Sequence, residues 1–511
     1  MKRFTSSLSR LLLIGSCILT IVLSFAEAAD EPSGAKAMEG KPNIVWIIPD
    51  DMSAHFACYG ETAIETPHLD ALAEKGALFT NAYVTAPVCS TCRSALITGM
   101  YQTTIGSHHH RSGRGELKIH LSEPVQLVPK LFQDAGYHTS ISSWPGTKGK
   151  FGKTDYNFEW DQAVYDSSLW QDREEGQPFF HQVHTPGGKL RGKDEEGWEK
   201  VQKRAEELFG DRTSESAVTL PPYYPDHPDI VRDWAAYLDS VRVTDHMIGE
   251  VIAQLEEEGL LENTLVIFMT DHGISHARGK QFLYDEGIHV PLVIAGPGVT
   301  PGTVREDVVE HIDLAALSLA AAGIEVPDWM QAQDILADDY APREAVFSAR
   351  DRCDETVDHL RSVRTQDFKY IRNFLPQRPY LQPSGYKDAK DILKALRESH
   401  EAGVLTPTQQ LLMRETRPEE ELYDVVSDPF EITNLADDPA YADELAAMRE
   451  RLETWMEETG DQGREPEDPD RYLSEMADYV GGGNAKRKDP AHLQRIEDNI
   501  KLMKLWAEQG K

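Results

Sequence analysis

The sequence predicts an α/β fold in which a doubly wound mixed sheet is flanked by helices and followed by a smaller C-terminal α+β domain. Three observations support that reading. Continuous apolar runs of strand length stand at 43–48, 265–269 and 290–294, amphipathic helical stretches alternate with them, and the pattern loosens near residue 330. With 511 residues, 40% of them hydrophobic, the chain can bury a large interior divided between two packed units.

In chain order, residues 1–28 read as an export signal. Lys2, Arg3 and Arg10 make a positive start, residues 11–25 are apolar, and Ala26-Glu27-Ala28 offers small side chains for cleavage. The mature protein is therefore expected to be exported, either periplasmic or secreted. An apolar run of 15 residues falls short of the roughly 20 that span a bilayer, so no stable membrane insertion is expected. Ile14-Gly15-Ser16-Cys17 is similar to a lipoprotein box, but the apolar run continues past Cys17, where a lipidated cysteine should stand near its end.

Residues 29–41 form a flexible lead-in to a main domain at 42–330. Asn43-Ile44-Val45-Trp46-Ile47-Ile48 is its first buried strand. Thr66 and Pro67 then supply a helix cap and a first-turn proline, Leu69, Leu72 and Ala73 give helical spacing, and Gly76 ends the helix. A long amphipathic helix is predicted over about 233–258, with Leu238, Val241, Ile248, Val251, Ile252 and Leu255 on its inner stripe. Two buried strands follow it. The C-terminal domain, 331–460, offers strands at Ala345-Val346-Phe347-Ser348 and Phe368-Lys369-Tyr370-Ile371, and a helix at 441–458. Residues 461–511 read as a charged tail broken by Gly481-Gly482-Gly483, with one modest helical stretch near the end.

Asp and Glu total 86 against 52 Lys and Arg, a formal charge of −34. Such a surface repels nucleic acid and anionic lipid, so an anionic substrate needs a local basic pocket within an acidic exterior. Past the export signal four cysteines remain, Cys58, Cys89, Cys92 and Cys353. They are too few for a disulfide scaffold, and a single CxxC is only half of a zinc site.

Open α/β sheets bind ligands beyond the carboxyl ends of their strands. Ile47-Ile48-Pro49 runs into Asp50-Asp51, and Phe268-Met269-Thr270 runs into Asp271-His272. The adjacent Asp50 and Asp51 carboxylates repel unless something compensates them, and with Asp271-His272 at a second strand end the two pairs favour a shared cation. Oxygen ligands suggest Ca²⁺ or Mg²⁺, whereas the His272 imidazole suits softer metals. Between the two pairs, the segment from Pro87 to Gly99 is expected to be a loop feeding a helix, whose amino end would favour an anion and a thiolate at Cys89. Arg93 stands one turn further on. His108-His109-His110 points three imidazoles in different directions and reads as a loop or pocket rim.

Cys89-x-x-x-Arg93 followed by Thr98-Gly99 resembles the signature of the sulfatase family, Cys-x-Pro/Ala-x-Arg with a following Thr-Gly. Thr91 stands where Pro or Ala is usual, and Cys92 where Ser is common. The resemblance extends in order over about residues 42–460. Pro178 to Pro186 resembles the strand ending in His-x-Pro, Gly152-Lys153 resembles the start of Gly-Lys-x-His with Asp155 in the histidine's place, and Gly279-Lys280 with Tyr284 resembles Gly-Lys-x-x-x-Tyr-Glu-Gly. The passage from Glu421 to Ala436, with Arg361-Ser362-Val363 and residues 455–459, looks most like the N-sulfoglucosamine sulfohydrolase (heparan N-sulfatase) branch.

The resemblance implies an alkaline-phosphatase-like fold and hydrolysis of a sulfuric ester or sulfamate on a sulfated saccharide. It implies a formylglycine nucleophile made from Cys89 by a sulfatase-maturing enzyme, and a Ca²⁺ or Mg²⁺ site of Asp50, Asp51, Cys89, Asp271 and His272. It further implies that Arg93, Lys153 and Lys280 bind the sulfate oxygens, and that His184 contacts the sulfate or leaving group. Two alternatives stay open: a phosphodiesterase or phosphonate hydrolase on the same scaffold, and a non-catalytic glycan-binding protein in which Thr91 blocks maturation.

Overall fold

A computed structural model describes residues 40–113, 115–143, 150–482 and 489–511. The expected export signal, nearly all of the lead-in and Gly483 lie outside the described residues. The elements of the larger sheet and its helices are β1 (Asn43–Pro49), α1 (Pro67–Glu74), β2 (Gly76–Tyr83), α2 (Cys89–Thr98), α3 (Val128–Asp134), β3 (His138–Ser142), β4 (Phe179–Thr185), α4 (Glu195–Phe209), α5 (Pro228–Glu257), β5 (Thr264–Met269), α6 (Asp285–Ile288), β6 (His289–Ala295), β7 (Thr303–Arg305), β8 (Val309–Glu310) and α7 (Asp313–Ala321). The remainder holds β9 (Val346–Arg350), β10 (Leu360–Arg364), β11 (Phe368–Asn373), α8 (Asp391–Glu401), β12 (Glu420–Asp424), α9 (Ala442–Glu458), α10 (Pro469–Gly481) and α11 (Pro490–Glu508).

The larger sheet runs β3-β4-β1-β5-β6-β2-β7, with β8 also pairing β2. β3, β4, β1 and β5 are mutually parallel, β6 is antiparallel to both its neighbours, and β7 and β8 run parallel to β2. The sheet is therefore mixed. Both of its faces are covered, and β1 shows why its sequence is apolar throughout. Ile44, Trp46 and Ile48 join a core shared with α2, α3 and α7, while Val45 and Ile47 join one shared with α1, α5 and α8. Trp46 is fully buried, packs edge-on to Phe180 at 5.0 Å, and donates its indole N–H to Ser318 Oγ at 2.9 Å.

Local chemistry sets the ends of the elements. α5 begins at Pro228, five residues before the expected start, because the His227 ring caps the Asp229 N–H and Pro228 fills the first turn. The Thr66 hydroxyl does not cap α1 as expected. It accepts from the Ala57 N–H at 2.8 Å and contacts Asp70, which closes the preceding loop on the helix. β3, His-Thr-Ser-Ile-Ser, is buried although mostly polar, because the Thr139 and Ser140 hydroxyls find partners in Val164 O and His181 Nδ1. A search for apolar runs passes over such a strand.

The smaller sheet, β12-β11-β10-β9, is antiparallel throughout. It is joined to the larger one where Ala349 N–H donates to Thr85 O at 2.8 Å and Ser348 Oγ to Val84 O at 2.6 Å. The described residues, from Gly40 onward, form one compact unit. Among the described residues, the final 51 positions hold two α-helices rather than one, and both are docked. Glu475 on α10 accepts from the Gly113 N–H at 2.7 Å, and Tyr472, Met476 and Met503 share an apolar cluster.

Trp46→Ala removes an aromatic ring and orphans the Ser318 hydroxyl in the same core. It is expected to lower unfolding free energy by about 3–5 kcal/mol, read from chemical denaturation.

Candidate active site

The carboxyl ends of β1, β4 and β5 open on one side of the sheet, and each delivers polar side chains there. β1 runs into Asp50-Asp51, β4 ends in His184-Thr185, and β5 runs into Thr270-Asp271-His272. The turn after β1 is tight: Asp51 has φ 57°, and its N–H donates to Asp271 Oδ1 at 3.0 Å, which ties the two strand ends together. α2 begins at Cys89 itself, so the thiol sits on the first turn of a helix whose amino end faces these carboxylates. Gly99, at φ 65°, closes the same helix, which accounts for the glycine of the Thr-Gly pair.

Cys89 Sγ lies 3.1 Å from Lys280 Nζ, 3.1 Å from His272 Nε2, 3.6 Å from Lys189 Nζ and 3.8 Å from Asp51 Oδ1. One ligand atom from each of Asp51, Cys89, Asp271 and His272 falls within 4.8 Å of all the others. Four of the five residues expected around a cation are thus gathered at one point. The fifth, Asp50, adjoins them but is turned toward cations: it pairs with Arg93, with Lys153 at 3.2 Å and with Lys189 at 2.7 Å. Arg93 also reaches Asp271 Oδ2 at 3.2 Å, so one guanidinium spans two strand ends.

Three buried carboxylates therefore face four basic side chains: Arg93, Lys153, Lys189 and Lys280. Burial alone would raise the Cys89 thiol, but Lys153, Lys189 and Lys280 outweigh it and hold its pKa well below the ordinary value. Cys92, three residues on and fully buried, goes the other way: burial and then Asp271 push it well above. Its Sγ donates to the Asp271 carbonyl, so it is no partner for Cys89 in a zinc site. Cys58, Cys89, Cys92 and Cys353 are all free thiols.

Burial, then Asp50, raises Asp271 to about 7, while Asp271 and Cys89 overcome burial to raise His272 to about 9. His272 Nδ1 lies 2.9 Å from Gly273 O, so that nitrogen donates and Nε2 is the one aimed at Asp51 and Cys89. His184 is different. Burial and then Arg93 hold it well below its usual value, its Nδ1 accepts from Arg93, and its Nε2 donates to Gln182 Oε1 at 3.1 Å. Asp155 stands 3.8 Å from Lys153 Nζ, at φ 55°. In the histidine run, His110 reaches Ser90 Oγ at 2.6 Å and groups with Cys353 and Asp354, whereas the His108 and His109 rings touch each other at 4.3 Å, tilted by 52°.

Lys189 and Tyr386 were not anticipated. Lys189 is placed by Pro186-Gly187-Gly188. A Cβ on either glycine would come within 2.2 Å of the Asp50 or Asp51 carbonyl, and the Gly188 N–H donates to Asp50 O at 2.9 Å. Two glycines after a buried strand were the available signal. The Tyr386 hydroxyl lies 3.4 Å from Asp51 Oδ2, and nothing in its local sequence marks it. Lys280 is held because its N–H donates to Ile274 O at 2.7 Å and the next N–H to Pro87 O at 2.8 Å. Two residues earlier, Arg278 clamps the carbonyls of Phe430 and Glu431.

Residues 42–324 match the sulfatase family model, and residues 272–381 match the model for the C-terminal part of N-sulphoglucosamine sulphohydrolase. An ulvan-active sulfatase of Formosa agariphila is 31% identical, over 91% of this chain and 84% of that protein. Human N-sulphoglucosamine sulphohydrolase is 27% identical, over 87% of this chain and 93% of that protein. A protein solved in complex with its substrate D-glucosamine-2-N,6-O-disulfate has the same fold, with TM-score 0.55 and 20% identity over 84% of this chain and 99% of that one. A doubly wound mixed sheet with this cluster at its carboxyl edge is the framework of a hydrolase. The chain belongs to the sulfatase family.

Arg93→Met leaves Asp50 and Asp271 without their shared guanidinium. In chelator-treated protein it is expected to cost about 3–5 kcal/mol of unfolding free energy, measured by denaturant titration.

Proposed function

We propose that the protein releases sulfate from a sulfated saccharide, using residue 89 as formylglycine beside a divalent cation. The observation behind this reading is the convergence of Asp51, Cys89, Asp271 and His272 within 4.8 Å, with Lys280 and Lys189 at the Cys89 sulfur. Two buried carboxylates and an imidazole aimed by its own Nδ1 hydrogen bond fit a cation, Ca²⁺ or Mg²⁺, with Asp50 as the further carboxylate at its side. When present, the cation supplies charge neutralisation at the sulfuryl group and formylglycine supplies a hydroxyl nucleophile. The ulvan-active relative and the human N-sulphoglucosamine sulphohydrolase support a sulfated saccharide as substrate.

This chain's own residues do the rest. Lys280 and Lys189 flank the reacting atom and bind the oxygens on which negative charge grows as the S–O or S–N bond breaks. Lys153 lies 3.2 Å from Asp50 and adds a third ammonium at the same edge. Arg93 keeps Asp50 and Asp271 in place and is itself held by His184 Nδ1. His184, kept neutral by burial and Arg93, turns its Nε2–H from Gln182 to the leaving-group oxygen or nitrogen and stabilises it by hydrogen bonding. A sulfatase-maturing enzyme is the partner that converts Cys89, and export through the segment 1–28 places the enzyme in the periplasm or outside the cell.

Three measurements test this. Peptide mass spectrometry of active enzyme is expected to find residue 89 lighter than cysteine by the difference to formylglycine, and Cys89→Ala to abolish sulfate release; full activity with an unmodified thiol would falsify the reading. Lys189→Ala and Lys280→Ala are each expected to lower kcat/KM for an aryl sulfate by about 10²–10³-fold, with aryl phosphodiester turnover assayed in parallel as the rival chemistry. Added Ca²⁺ is expected to raise the melting temperature of the intact protein, and Asp51→Asn to remove that rise.

A further inference from the structure

A cavity of about 600 Å³ opens directly on the cluster around Cys89 and shares Asp51, Gly188 and Lys189 with it. That volume is within the range of small-molecule sites. Its walls come from distant stretches of chain: Arg111 from the loop after the histidine run, Lys193 from the turn after Lys189, Lys390 from the start of α8, and His492 and Arg495 from α11. Five Lys and Arg line it against three Asp, in a chain whose formal charge is −34. This is the local basic pocket that so acidic a protein needs for an anionic substrate.

The cations exceed what one sulfate requires. Lys189 already serves the carboxylates beside Cys89. Lys193 and Arg495, by contrast, have no carboxylate partner among the described residues, and both are exposed to the cavity mouth. Arg111 is fixed in place. Its backbone sits at φ 60°, a conformation unfavourable for a residue with a Cβ, its N–H donates to Ser90 Oγ at 2.9 Å, and its guanidinium lies 3.4 Å from Asp354. α11 is equally anchored. Ile496, next to Arg495, is fully buried, and Asn499 donates to Glu355 Oε1 at 2.9 Å. Guanidinium groups held at a cavity mouth are suited to a planar or tetrahedral oxyanion.

We propose that the substrate carries a second anionic group, a sulfate ester or a carboxylate, beside the sulfate that is cleaved, and that Arg111, Lys193 and Arg495 bind it. The proposal rests on the sulfatase reading given above. It makes α11 a wall of the substrate site and narrows the substrate to a polyanionic saccharide.

Sulfate release from three matched disaccharides decides the matter: one bearing only the sulfate to be cleaved, one bearing a second sulfate, and one bearing a uronate carboxylate. The intact enzyme is expected to show kcat/KM about tenfold or more higher for a doubly charged disaccharide, and the better of the two identifies the anion. In Arg495→Ala and in Lys193→Ala/Arg495→Ala that ratio is expected to fall toward unity, mainly through KM. Added salt should lower the same ratio in the unaltered enzyme, an arm that does not depend on any variant folding. A ratio near unity in the intact enzyme, or one that neither the variants nor salt change, overturns the proposal. If none of the three releases sulfate, the sulfatase reading is what has failed. Calorimetric binding of the same disaccharides to Cys89→Ala then still discriminates: tighter binding of the doubly charged ones, lost in Cys89→Ala/Arg495→Ala, supports the second-anion site, and equal binding rejects it.

Discussion

Mutual compensation between Asp50, Asp51 and Asp271 on one side and Arg93, Lys153, Lys189 and Lys280 on the other is the constraint from which the rest of the architecture follows. All three carboxylates are at most 5% exposed, so none can be left without a counter-charge. The cations come from α2, from the segment before Asp155, from the turn after β4 and from the segment before α6. Four separate chain segments must therefore close on one edge of the sheet before the charges balance. The same ring of lysines that neutralises the carboxylates also stabilises negative charge at Cys89, so holding the fold together and lowering that thiol's pKa are one electrostatic arrangement.

The order of the strands makes that closure possible. β1 lies between β4 and β5, so Asp50-Asp51 is flanked by His184 on one neighbour and Asp271 on the other. β6 is antiparallel to both β5 and β2, so β2 runs in the direction of β5 and the α2 that follows it starts in front of the same edge. The glycine pair 187–188 lets the turn after β4 lie against the turn after β1 without a side chain between them, and Lys189 arrives beside Asp50 as a result.

Much of this was legible in the sequence, for physical reasons that can be named. β1, β5 and β6 are buried on both faces and so read as unbroken apolar runs. Asp50-Asp51 and Asp271-His272 stand at the ends of two of them, and the spacing from Cys89 to Arg93 is one helical turn. What escaped had no periodic signature. β3 satisfies its polar side chains by hydrogen bonding rather than by avoiding them, and β2 begins at a glycine that reads as a helix stop and is bent by a bulge between Phe79 and Ala82. Tyr386 acquires its significance only from long-range packing, and Lys189 was marked by nothing but the glycine pair before it. α10 and α11 are charged on their outer faces and bury few apolar residues, so composition alone suggested a tail.

The Arg278 guanidinium, gripping two carbonyls at 430–431 while its neighbour but one, Lys280, lies 3.1 Å from the Cys89 sulfur, joins the rim of the small sheet to the buried charge cluster. The peripheral loop it holds, which includes the half-exposed Phe430, would pass for ordinary surface in any survey of conserved chemistry. Inherited or engineered changes there can nonetheless lower catalytic output while every reacting group stays intact, and screening confined to the motif residues would miss them.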